Sequence, residues 1–463
     1  TLADPEEYNK KYKVWRIEDL PMLPSQMKLV VIRQTSKQFY SVKTQMHRKD
    51  VSQIIIATDA GREGELVARW IIEKANVKKP IKRLWISSVT DKAIKDGFNK
   101  LRDGKEYENL YNSAVARAEA DWIVGINATR ALTCKYNAQL SCGRVQTPTL
   151  AMVASREEEI QNFKAREFYG ITAITKNLKL TWQDKQNKDT RIVDEKKCDN
   201  IFASVEGNDA TVIGVDKSYK KNFSPRLYDL TELQRDANKI FGFSAKETLS
   251  IMQRLYERHK ILTYPRTDSR YLTTDIVETL DSKILKKPIK ANKSFVDNSK
   301  VTDHHAIIPT EQRVLLSELN DGERKIYDLV VKRFLAVLYT PFEYEQTTIR
   351  AKIGDENFFA KGKRIISQGW KEIYANKYED DDANEDVPEQ LLPSINNGDI
   401  LKVDSVIKTK GHTKPPAPFN EGTLLTAMEN PAKYMAGESK DLIETIGETG
   451  GIGTVATRAD IIE

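Results

Sequence analysis

The order in which helical and β patterns alternate along the chain constrains its fold more than any composition figure. Residues 107–136 carry helical spacing, with Leu110, Ala114, Ala118 and Trp122 on one stripe, and residues 145–162 read as another helix. From 168 to 216 the pattern becomes β alternation, in Tyr169-Gly-Ile-Thr-Ala-Ile-Thr and again in Lys179-Leu-Thr-Trp. Helix returns over 229–258, followed by a short apolar segment at 261–264 and a Leu/Val-rich helix at 321–339. Strands reappear at 345–353 and 357–361, and helices at 421–430 and 454–463. Between them, residues 376–398 are acidic and rich in Pro and Asn, which predicts an exposed loop. A chain ordered helix, strand, helix, strand, helix is expected to leave a β layer, build a helical module and return to the same layer.

Composition bounds the answer without deciding it. A chain of 463 residues exceeds what one hydrophobic core supports, so several domains are expected. Its 73 basic and 67 acidic residues leave a net charge of +6, too small an excess to argue nucleic-acid binding without local clusters. Cys134, Cys142 and Cys198 form no CxxC pair, so neither a zinc ribbon nor a disulfide framework is indicated, and reduced cytoplasmic thiols are expected. No apolar run approaches the roughly 20 residues needed to span a bilayer, and no signal peptide is visible, so no membrane partner is expected. Absence of GxxxxGK[ST] argues against a P-loop ATPase. The chain begins at Thr1 in a polar stretch and stops at Glu463 inside a helical pattern, so both ends read as cut.

Several clusters carry chemistry. Ile54-Ile55-Ile56 reads as a strand buried on both faces, followed by Asp59-Ala-Gly-Arg62-Glu63-Gly-Glu65 and a helix containing Leu66, Trp70 and Ile71; a second strand is expected at 82–86. Carboxylates at the C-terminal end of such a strand sit where open α/β sheets bind ligands. Hard oxygen donors suit Mg²⁺, and an Arg among them can clamp a phosphate. A polar loop with acids favoured by the helix dipole explains the same residues. At Leu262-Thr263-Tyr264-Pro265-Arg266-Thr267-Asp268-Ser269, a phenol with an ordinary pKa near 10 would need a base, cation or metal to act as nucleophile, and Arg266 is at hand. The bland alternative is a buried tyrosine at a strand end. Ser141-Cys142-Gly143-Arg144-Val145-Gln146-Thr147-Pro148 opens onto a helix, as suits a phosphodiester backbone or an ordinary cap. In Asp303-His304-His305-Ala306-Ile307-Ile308-Pro309-Thr310, adjacent histidines rarely share one ion; one suits a phosphate or a proton and the other packing. Gly450-Gly451-Ile452-Gly453-Thr454-Val455-Ala456-Thr457-Arg458 is a Gly-rich loop entering a helix, with similar phosphate potential.

Taken in this order the clusters resemble the type IA DNA topoisomerases, and among them the bacterial topoisomerase III branch. Asp59 to Glu65 is similar to the Toprim acidic motif, Ser141 to Pro148 to the family's SxGRVQ-P segment, and Thr263 to Ser269 to its Y-x-R-T-D-S active site. His304 to Thr310 resembles H-x-A-I-x-P-T, and Gly451 to Arg458 resembles G-I-G-T-x-A-T-R. Leu20 to Pro24 and Asp121 to Arg130 also match family-like stretches, so the resemblance covers essentially the whole chain.

The resemblance implies a multidomain α/β protein with α and β modules: a Toprim α/β domain on a toroid with a β arch. Its parts would be Toprim at 1–100 with a piece of the helical module embedded, and that module at 101–165. The arch would lie at 166–225 and 343–410, the helical domain bearing the tyrosine at 226–342, and the rest of the helical module at 411–463. It also implies ATP-independent breakage, strand passage and rejoining of single-stranded DNA through a 5′-phosphotyrosine at Tyr264, for relaxation or decatenation. Arg266, Glu63 and His304 would be the other catalytic residues. Asp59 and Glu63 would hold Mg²⁺. Trp15, Trp122, Arg130, Ser141, Cys142, Gly143, Arg144, Val145, Gln146, Arg266, Thr457 and Arg458 would contact DNA, and a helicase is a candidate partner. Two departures stand out: Gly61 replaces the second Asp of a common D-x-D-x-E pattern, and nothing in Thr1 to Met27 resembles the first Toprim strand with its catalytic Glu. The alternatives are a non-catalytic single-strand-binding module or another Toprim enzyme.

Overall fold

The computed structural model describes residues 1–87, 90–280, 293–301, 303–374 and 390–463. The chain folds as two compact units, each assembled from separated stretches. Thr1–Ser155, Arg226–Val331 and Phe419–Glu463 form the first; Arg156–Pro225 and Lys332–Pro418 form the second.

In chain order, 3-10 turns occupy the first residues, and an isolated antiparallel bridge ties Leu2 to Leu29. Then come α1 (Ser36–Met46), β1 (Ile54–Ile56), α2 (Arg62–Ala75), β2 (Ile81–Arg83), α3 (Asp91–Asn99), β3 (Arg102–Asp103), α4 (Glu108–Tyr136) and α5 (Gln146–Gln161). β1 pairs parallel with β2, which pairs antiparallel with β3. Met46, Ala68, Ile72 and Ala75 of α1 and α2 pack with Ile56. Asn76, left-handed at φ 54°, ends α2 in the manner of a Gly or Asn cap. The expectation that β1 is buried on both faces fails: Ile56 is buried but Ile55 is 36% exposed. Among the described residues β1 is an edge strand of the sheet β1-β2-β3, and one of its faces meets water.

The second unit takes β4 (Glu167–Thr175), β5 (Lys179–Trp182), α6 (Glu195–Val205) and β6 (Ala210–Asn222). The chain then returns to the first unit for α7 (Leu230–Phe241), α8 (Ala245–Glu257), α9 (Thr274–Leu280) and most of α10 (Asp321–Ala336). It re-enters the second for β7 (Phe342–Ile353), β8 (Glu356–Ser367), β9 (Ile400–Leu401) and β10 (Val403–His412), and ends on α11 (Glu421–Glu429), α12 (Lys440–Glu448) and α13 (Arg458–Ile462). Among the described residues these strands form one sheet in the order β10-β4-β5-β8-β7-β6-β9. Asn222 pairs with Phe342 at the end of the β6–β7 ladder, so the long stretch between them departs from and returns to neighbouring strand ends. Tyr169, Ile171 and Ala173 alternate inward along β4 and bury against Cys198, Ile201 and Val205 of α6.

The helix expected over 229–258 is two helices. Gly242 (φ 71°) caps α7, and the Ser244 side chain accepts from the Glu247 amide to start α8. The helix expected over 454–463 shortens to α13 because Thr457 Oγ1 accepts from the Thr454 amide and holds a turn. The strand expected at 82–86 spans three residues at 81–83. Most of the acidic loop, 376–389, lies outside the described residues. Among the described residues no helix is long and apolar enough to cross a membrane.

Candidate active site

The loop from β1 to α2 is anchored from below. Glu65, fully buried, pairs with Arg83 (2.9 Å, also fully buried) and Arg69 (2.7 Å). The Arg83 guanidinium donates to the carbonyls of Ile56, Thr58, Asp59 and Leu84 at 2.6–3.2 Å. A charge pair removed from water needs such hydrogen bonds around it. Thr58 Oγ1 donates to the Gly64 carbonyl (2.8 Å), and a Cβ on Gly64 would meet the Asp59 carbonyl at 2.2 Å, so the loop closes tightly over the first turn of α2. On this base Asp59 is raised into solvent, its side chain 62% exposed. Glu63, also exposed, pairs with Arg117 of α4 (3.2 Å).

Tyr264 is carried by an extended segment that pairs with the stretch bearing His304. The Thr263 amide donates to the Ile308 carbonyl, the Ile308 amide to Thr263 Oγ1, and the Thr310 amide to the Ile261 carbonyl. Thr267, buried, donates to the His304 carbonyl (3.0 Å); Ser269, buried, donates to the Lys300 carbonyl. The threonine and serine of this motif therefore fix the scaffold.

The Tyr264 ring lies 4.2 Å from that of His304 and edge-on to Tyr256 at 5.5 Å. His304 Nε2 faces the Asp59 carboxylate at 3.7 Å, while His305 turns inward and its Nδ1 meets the Ala306 carbonyl. Burial holds the His305 ring below the usual histidine range. Burial also pushes the Tyr264 phenol up, the charge of Asp59 pushes it further, and Arg266 pulls it back. Arg266 is exposed and, among the described residues, unpaired.

A second concavity, of about 330 Å³, is lined by Arg62, Arg117 and Arg144 with Val145, Thr449 and the loop Gly451 to Thr454. Arg144 also pairs with Asp121. Gly450, Gly451 and Gly453 all have positive φ, and a Cβ on Gly451 would lie 2.2 Å from the Met428 carbonyl. Arg458 supports this loop from beneath. It is 3% exposed and donates to the carbonyls of Gly450 (2.5 Å) and Ile452 (3.0 Å) while pairing with Glu429.

Three of the expected DNA contacts are engaged inside the fold. Arg458 is buried and braces the loop. Arg130, 6% exposed, donates to the Tyr12 carbonyl (2.6 Å) beneath the ring of Trp15. Trp122 donates its indole N–H to the Ala3 carbonyl and packs on Tyr8. The single indole donor of Trp122 and the nitrogens of Arg458 are satisfied inside the fold, while Arg130 is buried with one of its nitrogens engaged. Trp15 itself stays 46% exposed. Ser141, Arg144 and Thr457 are exposed, while Cys142, Gly143, Val145 and Gln146 are half-buried around the start of α5. Arg83, Arg117 and Asp303 also reach this region. Arg83 and Arg117 stand in no motif, whereas Asp303 directly precedes the two histidines.

The comparisons with known proteins agree with this architecture. Residues 6–89 match the model of the Toprim domain, and residues 105–463 match that of a DNA topoisomerase family. The chain is similar in structure to full-length topoisomerase I from Thermotoga maritima, with a TM-score of 0.68 at 24% identity over 94% of this chain and 69% of that one. Fold and site thus define a Toprim domain joined to the type IA topoisomerase fold. The chain belongs to the DNA topoisomerase family. It is 64% identical over its whole length to DNA topoisomerase 3 of Bacillus anthracis and 63% identical to that of Bacillus subtilis, spanning 66% of the length of each.

Proposed function

We propose that this chain breaks and rejoins single-stranded DNA through Tyr264 without ATP, the chemistry of relaxation or decatenation. The observation that carries the proposal is the placing of the Tyr264 phenol against His304, which faces Asp59, with the Arg266 guanidinium, unpaired among the described residues, two residues along the same segment. Tyr264 Oη forms a bond to a backbone phosphorus, the P–O3′ bond breaks, and a 5′-phosphotyrosine and a free 3′-hydroxyl result. Attack by the hydroxyl reverses the step, so the linkage conserves the phosphodiester energy and no nucleotide is needed. The phenol is held up by burial and by Asp59, so losing its proton requires positive charge nearby. Arg266 supplies it and can also bind the phosphate. His304, between the nucleophile and Asp59, is placed to hold a phosphate oxygen or pass a proton to the departing O3′.

Among the described residues no group of three or more His, Cys, Asp or Glu side chains is arranged to hold a metal ion. Asp59, exposed, fits the hard-oxygen chemistry of Mg²⁺, and Glu63 could join it on leaving Arg117. A bound Mg²⁺ would neutralise phosphate charge. Arg62, Arg117, Arg144 and the Gly-rich loop supply a cleft for the strand's backbone. A cytoplasmic setting fits the free thiols, and a helicase is the partner class that exposed single strands call for.

The test is Tyr264→Phe on a labelled single-stranded oligonucleotide. The phenol makes no hydrogen bond among the described residues, so the ring should pack unchanged and binding should persist. The denaturant-resistant DNA adduct of the parent should vanish. An adduct formed by the Phe variant would sink the assignment. Binding without any adduct in the parent would favour a non-catalytic single-strand-binding module.

A further inference from the structure

Gly61 lacks a side chain, and the space that side chain would take is filled from another segment. A Cβ built on Gly61 would lie 2.3 Å from Oδ2 of Asp303 and 2.8 Å from its Oδ1 and Cγ. Gly61 is extended (φ −153°), a conformation open to any residue, so the glycine answers to this approach and not to backbone strain. Asp303 is half-buried, and among the described residues its carboxylate has no hydrogen-bond or ion-pair partner. Two other carboxylates, Asp59 and Asp268, act on it, opposed by His304 and Arg83. Arg83 is already engaged by Glu65 and by loop carbonyls. Beside this cluster, His304 Nε2 is buried and, among the described residues, has no hydrogen-bond partner.

We propose that Asp303 joins Asp59 as the second carboxylate of the Mg²⁺ site, standing where a side chain at position 61 would otherwise project. The proposal rests on the cation-dependent reading above and changes which residue completes the site. Two neighbouring carboxylates, one of them partly desolvated and without donors, repel each other, and a hard divalent cation relieves both costs. The ligands would then come from two segments, the β1–α2 loop and the stretch ahead of His304. The first is anchored by Arg83 and the second by Thr267. The cation would tie the Toprim loop to the segment that faces Tyr264.

The experiment uses Mn²⁺ as probe, with binding to the chain followed by electron paramagnetic resonance and no readout of cleavage. Asp59→Asn and Asp303→Asn should each raise the Mn²⁺ Kd at least about tenfold, the scale of a disturbed ligand shell. The double variant Gly61→Asp/Asp303→Gly, which returns the carboxylate to the loop, should recover most of that loss. Without Mn²⁺, Asp303→Asn should melt no lower than the parent, since it removes a repulsion; this separates a lost ligand from a damaged fold. Unchanged Mn²⁺ affinity in Asp303→Asn beside a loss in Asp59→Asn would overturn the role of Asp303 and leave the cation site standing. Parent-like affinity in both variants, or no saturable binding by the parent, would remove the cation reading itself.

Discussion

The Toprim loop at 57–65 and the tyrosine segment at 262–269 both present charged groups to the same site, yet they are held by different physics. The loop rests on buried charge: Glu65 pairs with Arg83 and Arg69, and the Arg83 guanidinium ties down four carbonyls. The segment is held by distributed strand-like pairing with 306–310 and by two buried hydroxyls, Thr267 and Ser269. A charge anchor concentrates the scaffold in one residue, whereas pairing spreads it over many. The first should fail all at once and the second by degrees.

The sharpest way to break this contrast is Arg83→Ala. It leaves buried Glu65 with Arg69 as its remaining partner and releases the loop carbonyls, a loss of up to about 3–5 kcal/mol for this kind of change. Chemical denaturation should show that loss, and Arg83→Met/Glu65→Leu should recover much of it, because apolar residues of similar volume need no partner. A single variant within about 1 kcal/mol of the parent would show that the loop is anchored elsewhere, given that typical surface substitutions fall within that range.

A smaller effect is expected on the other side. Thr267→Val removes the donation to the His304 carbonyl and the acceptance from the Ser269 amide, and should cost roughly 1–3 kcal/mol. The backbone pairing at Thr263 remains, so Tyr264 should keep its place and adduct formation should fall far less than in Tyr264→Phe. Loss of the adduct as complete as in Tyr264→Phe would mean that this hydroxyl positions the nucleophile through His304.

The smallest effect is a shift in a pH profile, and it tests whether the loop acts on the segment through charge. The Tyr264 phenol lies above its ordinary value because of burial, then Asp59, with Asp303 and Tyr256 in the same direction and Arg266 opposed. A raised pKa means that the phenolate is scarce below it and grows with pH. Single-turnover cleavage should therefore climb from neutral pH without levelling off before about pH 10, the ordinary range of a phenol. Asp59→Asn removes one of the raising charges, so its residual activity should climb from a lower pH. Coincident profiles would mean that Asp59 does not act on the phenol.

Much of this was legible in the residues alone. β1, α4, α5 and β7 lie close to where periodicity placed them, because apolar spacing of 3.6 or 2 reports which face is buried. The break at Gly242 and Ser244 was also written in capping chemistry, and reading one long helix there missed it. The clusters at 59–65, 262–269 and 304–310 stood out by residue type, and the family followed from their order. Tertiary structure decided which of those residues face the chemistry. Arg458 and Arg130 read as phosphate ligands, but both are buried, Arg458 with its donors on loop carbonyls and Arg130 with one nitrogen on the Tyr12 carbonyl. Arg117 sits in no motif yet pairs with Glu63 across 54 residues, and Asp303 fills the space left by Gly61 across a far longer separation. Periodicity and capping are local, set within a few residues along the chain, so sequence alone determined the elements. Burial of a charge and the meeting of two carboxylates depend on what packs alongside, and only the folded chain decides that.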